Sequence, residues 1–283
     1  MKFPEFLSVN GKNVKINVSL WKGQGKNIFA VHGLSSNSLV WLKIAEGLTP
    51  IHNFYGMDLR GRGKSEKPKK GYSIDIHCED IKSVIDNLKI KPVIFMGHSL
   101  GAYIGIVFSA KYKEYVEKLI LFDGGAKLTF EETVKIFESI KLSLSRLGKV
   151  YNSFNDYLSE IKKAVFLQPW QDYFEIYYKY EVEVFPNGKV KPLTPVYVIE
   201  EEAENLKKLD IEKYYDKIEV PVYVLRATEG MISKDDVLIT ENGKKKMLEK
   251  IKNIKFFDIK GTNHYSIVFH PNKERDELLL KLI

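Results

Sequence analysis

Apolar and polar positions alternate from Val14 to Trp21 (VKINVSLW), the period of a half-buried antiparallel strand. NIFAVH, Asn27 to His32, is instead a short apolar run ending at a glycine, as a strand covered on both faces would be. Residues 38–48 place Leu39, Leu42, Ile44, Ala45 and Leu48 at helical spacing, which predicts an amphipathic helix. NFYGMD then reads as a strand, and residues 74–88 as a helix with Asp75 near its start. VIFMGHS is another buried strand that leads straight into a turn. Tyr103 to Ala110 is a mostly apolar helix, and KLILFD, Lys118 to Asp123, is the next strand. This alternation predicts an α/β fold with a parallel sheet covered by helices on both faces.

Between about Ala126 and Leu206 the rhythm breaks. The stretch is rich in Phe, Tyr and Trp and includes WQDYFEIYYKY, Trp170 to Tyr180, read as helical. A turn, FPNGK, follows, with prolines at Pro192 and Pro195. The earlier pattern then returns with VPVYVLR, a helix around Lys244 to Ile251, the strand IKFFDI and a terminal helix. The organisation expected is a core of residues 1–126 and 206–283, with a helical cap of residues 127–205 inserted after the sixth strand.

Composition narrows the picture in three ways. A chain of 283 residues can bury a large core without staples, and one cysteine, Cys78, excludes an internal disulfide and a cysteine-based metal cluster. Neither a signal-peptide pattern nor a run long enough to span a bilayer is present, so a soluble, cytoplasmic protein with no membrane partner is expected. The net charge of +7 comes from lysines mixed with glutamates, with arginine only at Arg60, Arg62, Arg146, Arg226 and Arg275. That is the pattern of a solvated surface; a nucleic-acid binder would cluster its basic residues. The pattern fixes no oligomeric state.

The candidate chemistry begins at Gly97-His98-Ser99-Leu100-Gly101, a G-x-S-x-G sequence set between an apolar strand and an apolar helix. A serine there occupies a tight turn that lifts its hydroxyl above the sheet edge, at a helix N-terminus whose partial positive charge favours an oxyanion. Three further segments agree in order and spacing: His32-Gly33-Leu34, Asp58-Leu59-Arg60-Gly61-Arg62-Gly63-Lys64-Ser65 and Gly261-Thr262-Asn263-His264. With the serine turn, they resemble the α/β-hydrolase superfamily over about residues 5–125 and 206–283. The resemblance implies a mostly parallel, eight-stranded α/β sheet flanked by helices. It implies a serine hydrolase with Ser99 as nucleophile and His264, in the loop after the last strand, as its base. It further implies an oxyanion hole made by the backbone N–H groups of Leu34 and Leu100.

The remaining histidines fit less well. His32 and His98 are expected to serve structure or pocket lining. His270 is read as a helix-start or surface residue, and His52 and His77 have no matching context. The residues Asp58–Ser65 read as a turn-stabilising network.

The acid of the triad departs from the common pattern. The family usually carries an aspartate shortly after the strand VPVYVLR, but this chain reads Ala227-Thr228-Glu229-Gly230-Met231, with glycine at the expected position. A minority of the superfamily takes the acid from the preceding core strand, where Asp123 stands before Gly124-Gly125. Asp123 is favoured and Glu229 is the alternative, while Asp235 and Asp236 read as surface residues near a helix start.

A serine nucleophile implies acyl transfer to water without metal or organic cofactor, on a small-molecule ester-like substrate. Carboxylesterase action on small to medium apolar acyl groups is the default expectation; lactone or C–C hydrolysis on the same triad, or ligand binding with little turnover, are the alternatives. The aromatics of the insertion, Trp170 and Phe174 among them, read either as pocket lining or as the insertion's own core.

Overall fold

The computed structural model of the protein describes residues 3–233 and 236–283. Its centre is an eight-stranded sheet made of β1 (Glu5–Asn10), β2 (Lys15–Trp21), β3 (Asn27–Val31), β4 (Asn53–Met57), β5 (Val93–His98), β6 (Val116–Phe122), β9 (Val222–Ala227) and β10 (Ile254–Ile259). Their spatial order is β1-β2-β4-β3-β5-β6-β9-β10. The pairs β1/β2 and β2/β4 are antiparallel, and every other pairing in the sheet is parallel. The mostly parallel, eight-stranded α/β sheet flanked by helices that the family resemblance implies is therefore what the chain forms.

The helices α1 (Leu42–Leu48), α2 (Ile74–Leu88), α3 (Leu100–Lys111), α8 (Glu241–Lys250) and α10 (Lys273–Leu282) flank the sheet. Local chemistry sets their ends. Ser73 accepts the Ile76 N–H to cap α2, Asp75 sits in that helix's first turn, and Lys89 closes it in the left-handed conformation. Helix α3 has no polar face; all but Tyr103 and Lys111 are buried, as for a helix packed beneath other elements. It starts at Leu100, three residues before the position that apolar periodicity marks, because the turn residue Ser99 is its N-cap.

Strand β2 is more buried than its alternation suggests: Ser19 and Trp21 are covered as fully as Ile16 and Val18. The short 3-10 turn Ser38–Trp41 lies over that second face, with the Ser19 and Ser38 hydroxyls 2.7 Å apart.

Between β6 and β9 the chain forms α4 (Phe130–Leu144), α5 (Phe154–Ile161), α6 (Phe174–Tyr180), the short strands β7 (Val182–Val184) and β8 (Val190–Pro192), and α7 (Val196–Lys207). A capping box at Thr129 and Glu132 starts α4. The FPNGK turn joins β7 to β8 in an antiparallel pair, so the segment is not purely helical. Helix α6 begins at Phe174; residues before it form turns, with Phe174 N–H donating to Gln171 and Glu175 N–H to Asp172. No helix among the described residues is long and apolar enough to cross a membrane.

Candidate active site

Ser99 follows the last residue of β5 and precedes α3, with φ 54° and ψ −116°. A non-glycine residue rarely adopts positive φ, and it persists only where the surroundings dictate it. Here they do. A β-carbon on Gly97 would lie 2.2 Å from the Gly101 carbonyl oxygen, and one on Gly101 would lie 2.0 Å from that of Val31. Only glycine at both flanks lets strand, turn and helix approach this closely. Asp123, directly after β6, is also left-handed, with φ 41°.

The candidate base, His264, and the candidate acid, Asp123, meet at these strand ends. His264 Nδ1 lies 2.8 Å from Asp123 Oδ2, both side chains nearly buried. The carboxylate accepts, so the proton sits on Nδ1 and leaves the Nε2 lone pair free. The other carboxylate oxygen accepts the Ala227 N–H at 3.2 Å, and the Asp123 N–H donates to Leu225. The end of β9 thus contributes backbone, not a side chain, to the acid. Glu229, the alternative acid, is exposed and its carboxylate accepts from the neighbouring Thr228 hydroxyl.

Asn263 shapes the loop that carries His264: its Oδ1 accepts the N–H groups of Tyr265 and Ser266, and its Nδ2 donates to the Phe166 carbonyl. His98 adds a second tie by placing Nε2 2.8 Å from the His264 carbonyl, the two rings 4.6 Å apart. A carbonyl only accepts, so His98 Nε2 carries the proton. Burial, then the neighbouring His264, hold the His98 pKa well below its ordinary value and keep the ring neutral.

The Gly33–Ser36 loop passes over the serine; a β-carbon on Gly33 would lie 3.2 Å from that of Ser99. Buried His32 orients this loop. Its Nδ1–H donates to the Gly33 carbonyl at 2.7 Å, and its Nε2 accepts the Leu59 N–H at 3.1 Å. The Gly33 carbonyl and the Leu34 N–H share one peptide plane and point oppositely, so holding the first aims the second. His32 is therefore a structural residue and lines no cavity at Ser99. Burial lowers its pKa to about 3.

Two lobes of a cavity, ≈ 650 and ≈ 1030 Å³, share Leu34, Ser99, Ile140 and His264. The smaller is walled by His98, Arg146, Tyr177, Tyr178, Tyr265 and Phe269. The larger is mostly apolar and runs past Leu100, Tyr103, Ile136, Phe137, Leu209 and Leu238. Neither contains Trp170 or Phe174. Those two expected pocket residues pack elsewhere: Phe174 is fully buried core and stacks on Phe269 at 4.1 Å, and the half-buried Trp170 packs edge-on to Phe174.

Tyr177 and Tyr178, two of the insertion's aromatics that the sequence offers as pocket lining, do line the cavity, whereas Ile136 escapes a reading by periodicity. His270 is likewise buried, against Phe174, with Nε2 3.2 Å from the Pro169 carbonyl. Asp236 is buried too, accepting N–H groups of Met231, Ile232 and Ser233 and the Ser139 hydroxyl. Asp235 lies outside the described residues. The Asp58 carboxylate accepts from Ser38, Lys64 and Tyr180, which makes its loop a bracing network. No group of three or more His, Cys, Asp or Glu side chains among the described residues is placed to hold a metal ion.

Comparison with known proteins adds the following. A family model for the alpha/beta hydrolase fold matches residues 26–271. The 2-(acetamidomethylene)succinate hydrolase of Mesorhizobium japonicum is 25% identical over 272 residues, covering 93% of this chain and 88% of that protein. The 2-hydroxy-6-oxononadienedioate/2-hydroxy-6-oxononatrienedioate hydrolase of Escherichia coli is 30% identical over 128 residues, 42% of this chain and 44% of that one. An uncharacterized protein of Mycobacterium tuberculosis is 29% identical over 121 residues, 43% of this chain, and the match spans only 35% of its length.

Among solved structures, E-2-(acetamidomethylene)succinate hydrolase aligns with TM-score 0.81 at 22% identity, over 98% of this chain and 97% of that one. An esterase from Exiguobacterium antarcticum aligns with TM-score 0.73 at 19% identity, over 99% and 98% of the respective chains. Both likenesses are of fold.

Proposed function

The chain belongs to the α/β-hydrolase fold family, and from that premise we propose that it is a serine hydrolase acting on uncharged, largely apolar esters. Ser99 is the nucleophile, His264 the base, Asp123 the acid, and the N–H groups of Leu34 and Leu100 form the oxyanion hole. Residues 127–205 are the cap that roofs the cavity. The observation that carries this reading is the 2.8 Å bond from His264 Nδ1 to Asp123, made beside a strained serine at a strand-to-helix turn.

The chemistry follows from the geometry. The Ser99 hydroxyl attacks the ester carbonyl while His264 Nε2 takes its proton, and Asp123 stabilises the imidazolium through Nδ1–H. Negative charge on the carbonyl oxygen meets the Leu34 and Leu100 N–H groups at the start of α3. Collapse of the tetrahedral species expels the alcohol, which takes the proton from His264, and leaves an acyl-Ser99. Water, deprotonated by the same imidazole, then releases the acid.

The charges around the cavity favour a neutral substrate. Arg146, in the smaller lobe, is bound by both carboxylate oxygens of Glu181. Lys127 and Lys207, at the larger lobe, pair with Asp210 and Glu204. Cations already neutralised in this way offer little to a substrate carboxylate. Two relatives bear the names of hydrolases whose substrates are diacids, and C–C hydrolysis on the same groups is the second reading. A binding role without turnover rested on the vacant acid position, and the Asp123 contact supports turnover.

A series of p-nitrophenyl esters of increasing acyl length, given to the wild type and to Ser99→Ala, tests the proposal. Turnover that the serine variant lacks, strongest for acyl groups that fill the apolar lobe, is expected. Wild-type turnover that survives in Ser99→Ala, or a wild type that hydrolyses no ester yet cleaves a C–C diketone, would reject the ester reading.

A further inference from the structure

Two arginines reach the backbone of the loop that presents Leu34, and each is tied to a glutamate from residues 127–205. Arg62 donates from Nε to the Leu34 carbonyl at 3.0 Å, from Nη1 to the Arg60 carbonyl, and from Nη2 to Glu202 Oε2 at 3.0 Å. Glu202, on α7, lies 2.7 Å through the same oxygen from His77 Nε2, and both members of the Arg62–Glu202 pair are fully buried. Arg146, just past α4, donates from Nη2 to the Ser35 carbonyl at 2.9 Å. Its Nε and Nη2 grip Glu181, which follows α6, at 2.7 and 3.0 Å, while Nη1 donates to Ser143. Tyr157 also donates to Glu181, and Tyr177 donates to the Ser36 hydroxyl at 3.1 Å.

Successive peptide planes of this loop are therefore fixed: Gly33 by His32, Leu34 by Arg62 and Ser35 by Arg146. The Gly33 plane carries the Leu34 N–H itself, while the Leu34 and Ser35 planes carry the N–H groups of Ser35 and Ser36, so the two arginines hold Leu34 in place by fixing the planes that follow it. A planar guanidinium suits this work because one group binds a carboxylate and a carbonyl together, which a lysine ammonium does less rigidly. Burial without partners would make such charges very costly, so the pairs hold together or not at all. Burial raises the Glu202 pKa, yet His77 and Arg62 outweigh it and hold the carboxyl at about 2, so the pair is ionic across the working range.

We propose that the Arg62–Glu202 and Arg146–Glu181 pairs make the inserted segment a support of the oxyanion hole, with Arg62 and Arg146 as positioning residues for the Leu34 N–H. The proposal rests on the reading of Leu34 as an oxyanion donor. It assigns the insertion a second duty besides roofing the cavity. The segment must be docked for the serine turn to reach full rate, and disturbance of either pair lowers transition-state stabilisation without altering ground-state binding.

The test uses the full-length protein and two independent changes. Arg146→Lys keeps charge opposite Glu181 but loses the fork. The double variant Arg62→Met/Glu202→Met removes both charges together, so that neither is left buried alone. For each, kcat and KM are measured on one ester, together with inhibition by a trifluoromethyl ketone that forms a tetrahedral adduct on the serine.

The expected result is a fall in kcat of about tenfold or more, with KM within about twofold and the inhibition constant rising in step with the loss of kcat. Folded variants with wild-type kcat, or with KM alone altered, would overturn the proposal. Because the pairs are separate, misfolding of one variant leaves the other to decide, and if both misfold, Glu181→Gln supplies the same comparison. Reaction of the wild type with a fluorophosphonate at Ser99 separates the two levels. A wild type with no adduct and no turnover removes the serine-hydrolase reading itself, whereas a labelled, active wild type with unaffected variants removes only the clamp.

Discussion

The Nε2–H of His98 and the main-chain carbonyl of His264 lie 2.8 Å apart, which fastens the residue before Ser99, the proposed nucleophile, to the backbone of the proposed base. The imidazole of His264 is thus located twice, through its side chain by Asp123 and through its main chain by His98. Replacement of His98 by Phe keeps a flat ring in the same space and removes only the donor. An error of a fraction of an ångström at the base is expected to lower kcat about tenfold, with KM little changed. Steady-state kinetics on a single ester read this directly, and an unchanged kcat would assign His98 to packing alone.

Asp123→Asn retains the shape of the acid but presents an amide to Nδ1 and favours the wrong imidazole tautomer. A loss of kcat on the order of 10³–10⁴ is expected. Glu229→Gln, on an exposed side chain, is expected to stay within about twofold of wild type. The two variants assayed side by side assign the acid, and a reversed ranking would transfer the role to Glu229.

Acid weakens the fold through His32 and His98. Both are buried and neutral, with pKa values pushed below the ordinary 6.5, to about 3 for His32. As pH falls past 6.5 the unfolded chain binds protons on these rings while the folded chain does not. Stability therefore drops with falling pH through that window, for His32 down to about 3, by up to about 1.4 kcal/mol per pH unit and per ring. Urea midpoints between pH 7.5 and pH 5 should show the decline. A His32→Asn variant, weaker at the start, should decline less.

Phe174→Ala separates core from pocket. Removal of a fully buried ring stacked on Phe269 is expected to cost about 3–5 kcal/mol of stability. The KM for a short ester should change by less than about threefold. Chemical denaturation with kinetics on the same preparation checks both, and a large KM change at full stability would return Phe174 to the pocket.

The parts of the site that lie at strand ends were legible in the sequence. Ser99 is announced by glycines that no other residue can replace, and Asp123 and His264 each follow an apolar run whose end marks the sheet's rim. What depended on direction across space was not. Helical spacing gathers Trp170 and Phe174 with Tyr177 and Tyr178, but only packing decides that the first two lie off the cavity while the other two wall it. His270 and Asp236 are polar residues in loops, and polarity alone places such residues outside until their partners at Pro169 and Met231 are known.

The clamp pairs were hidden for a plainer reason: Arg62 and Glu202 stand 140 residues apart. One signal could have pointed to them. In a chain that draws its positive charge from lysine, each of the five arginines is in an ion pair with a carboxylate. Scarce arginine marks the places where a planar fork is required.

The backbone bond from Ala227 to Asp123 has a consequence for how this chain can change. Ser99 and Asp123, the proposed nucleophile and acid, follow the ends of neighbouring strands within one unbroken stretch of sequence that ends before the insertion begins. Only the imidazole arrives from the far side. The loop after β9 supplies no side chain to the proposed acid, which that strand holds through the N–H of its last residue, Ala227. Replacement of residues 127–205 by another roof leaves Ser99 and Asp123 in mutual register, while the His264 loop loses its tie to Phe166 and the Leu34 loop loses its ties through Arg62 and Arg146. The division gives the molecule a fixed engine block and an exchangeable head.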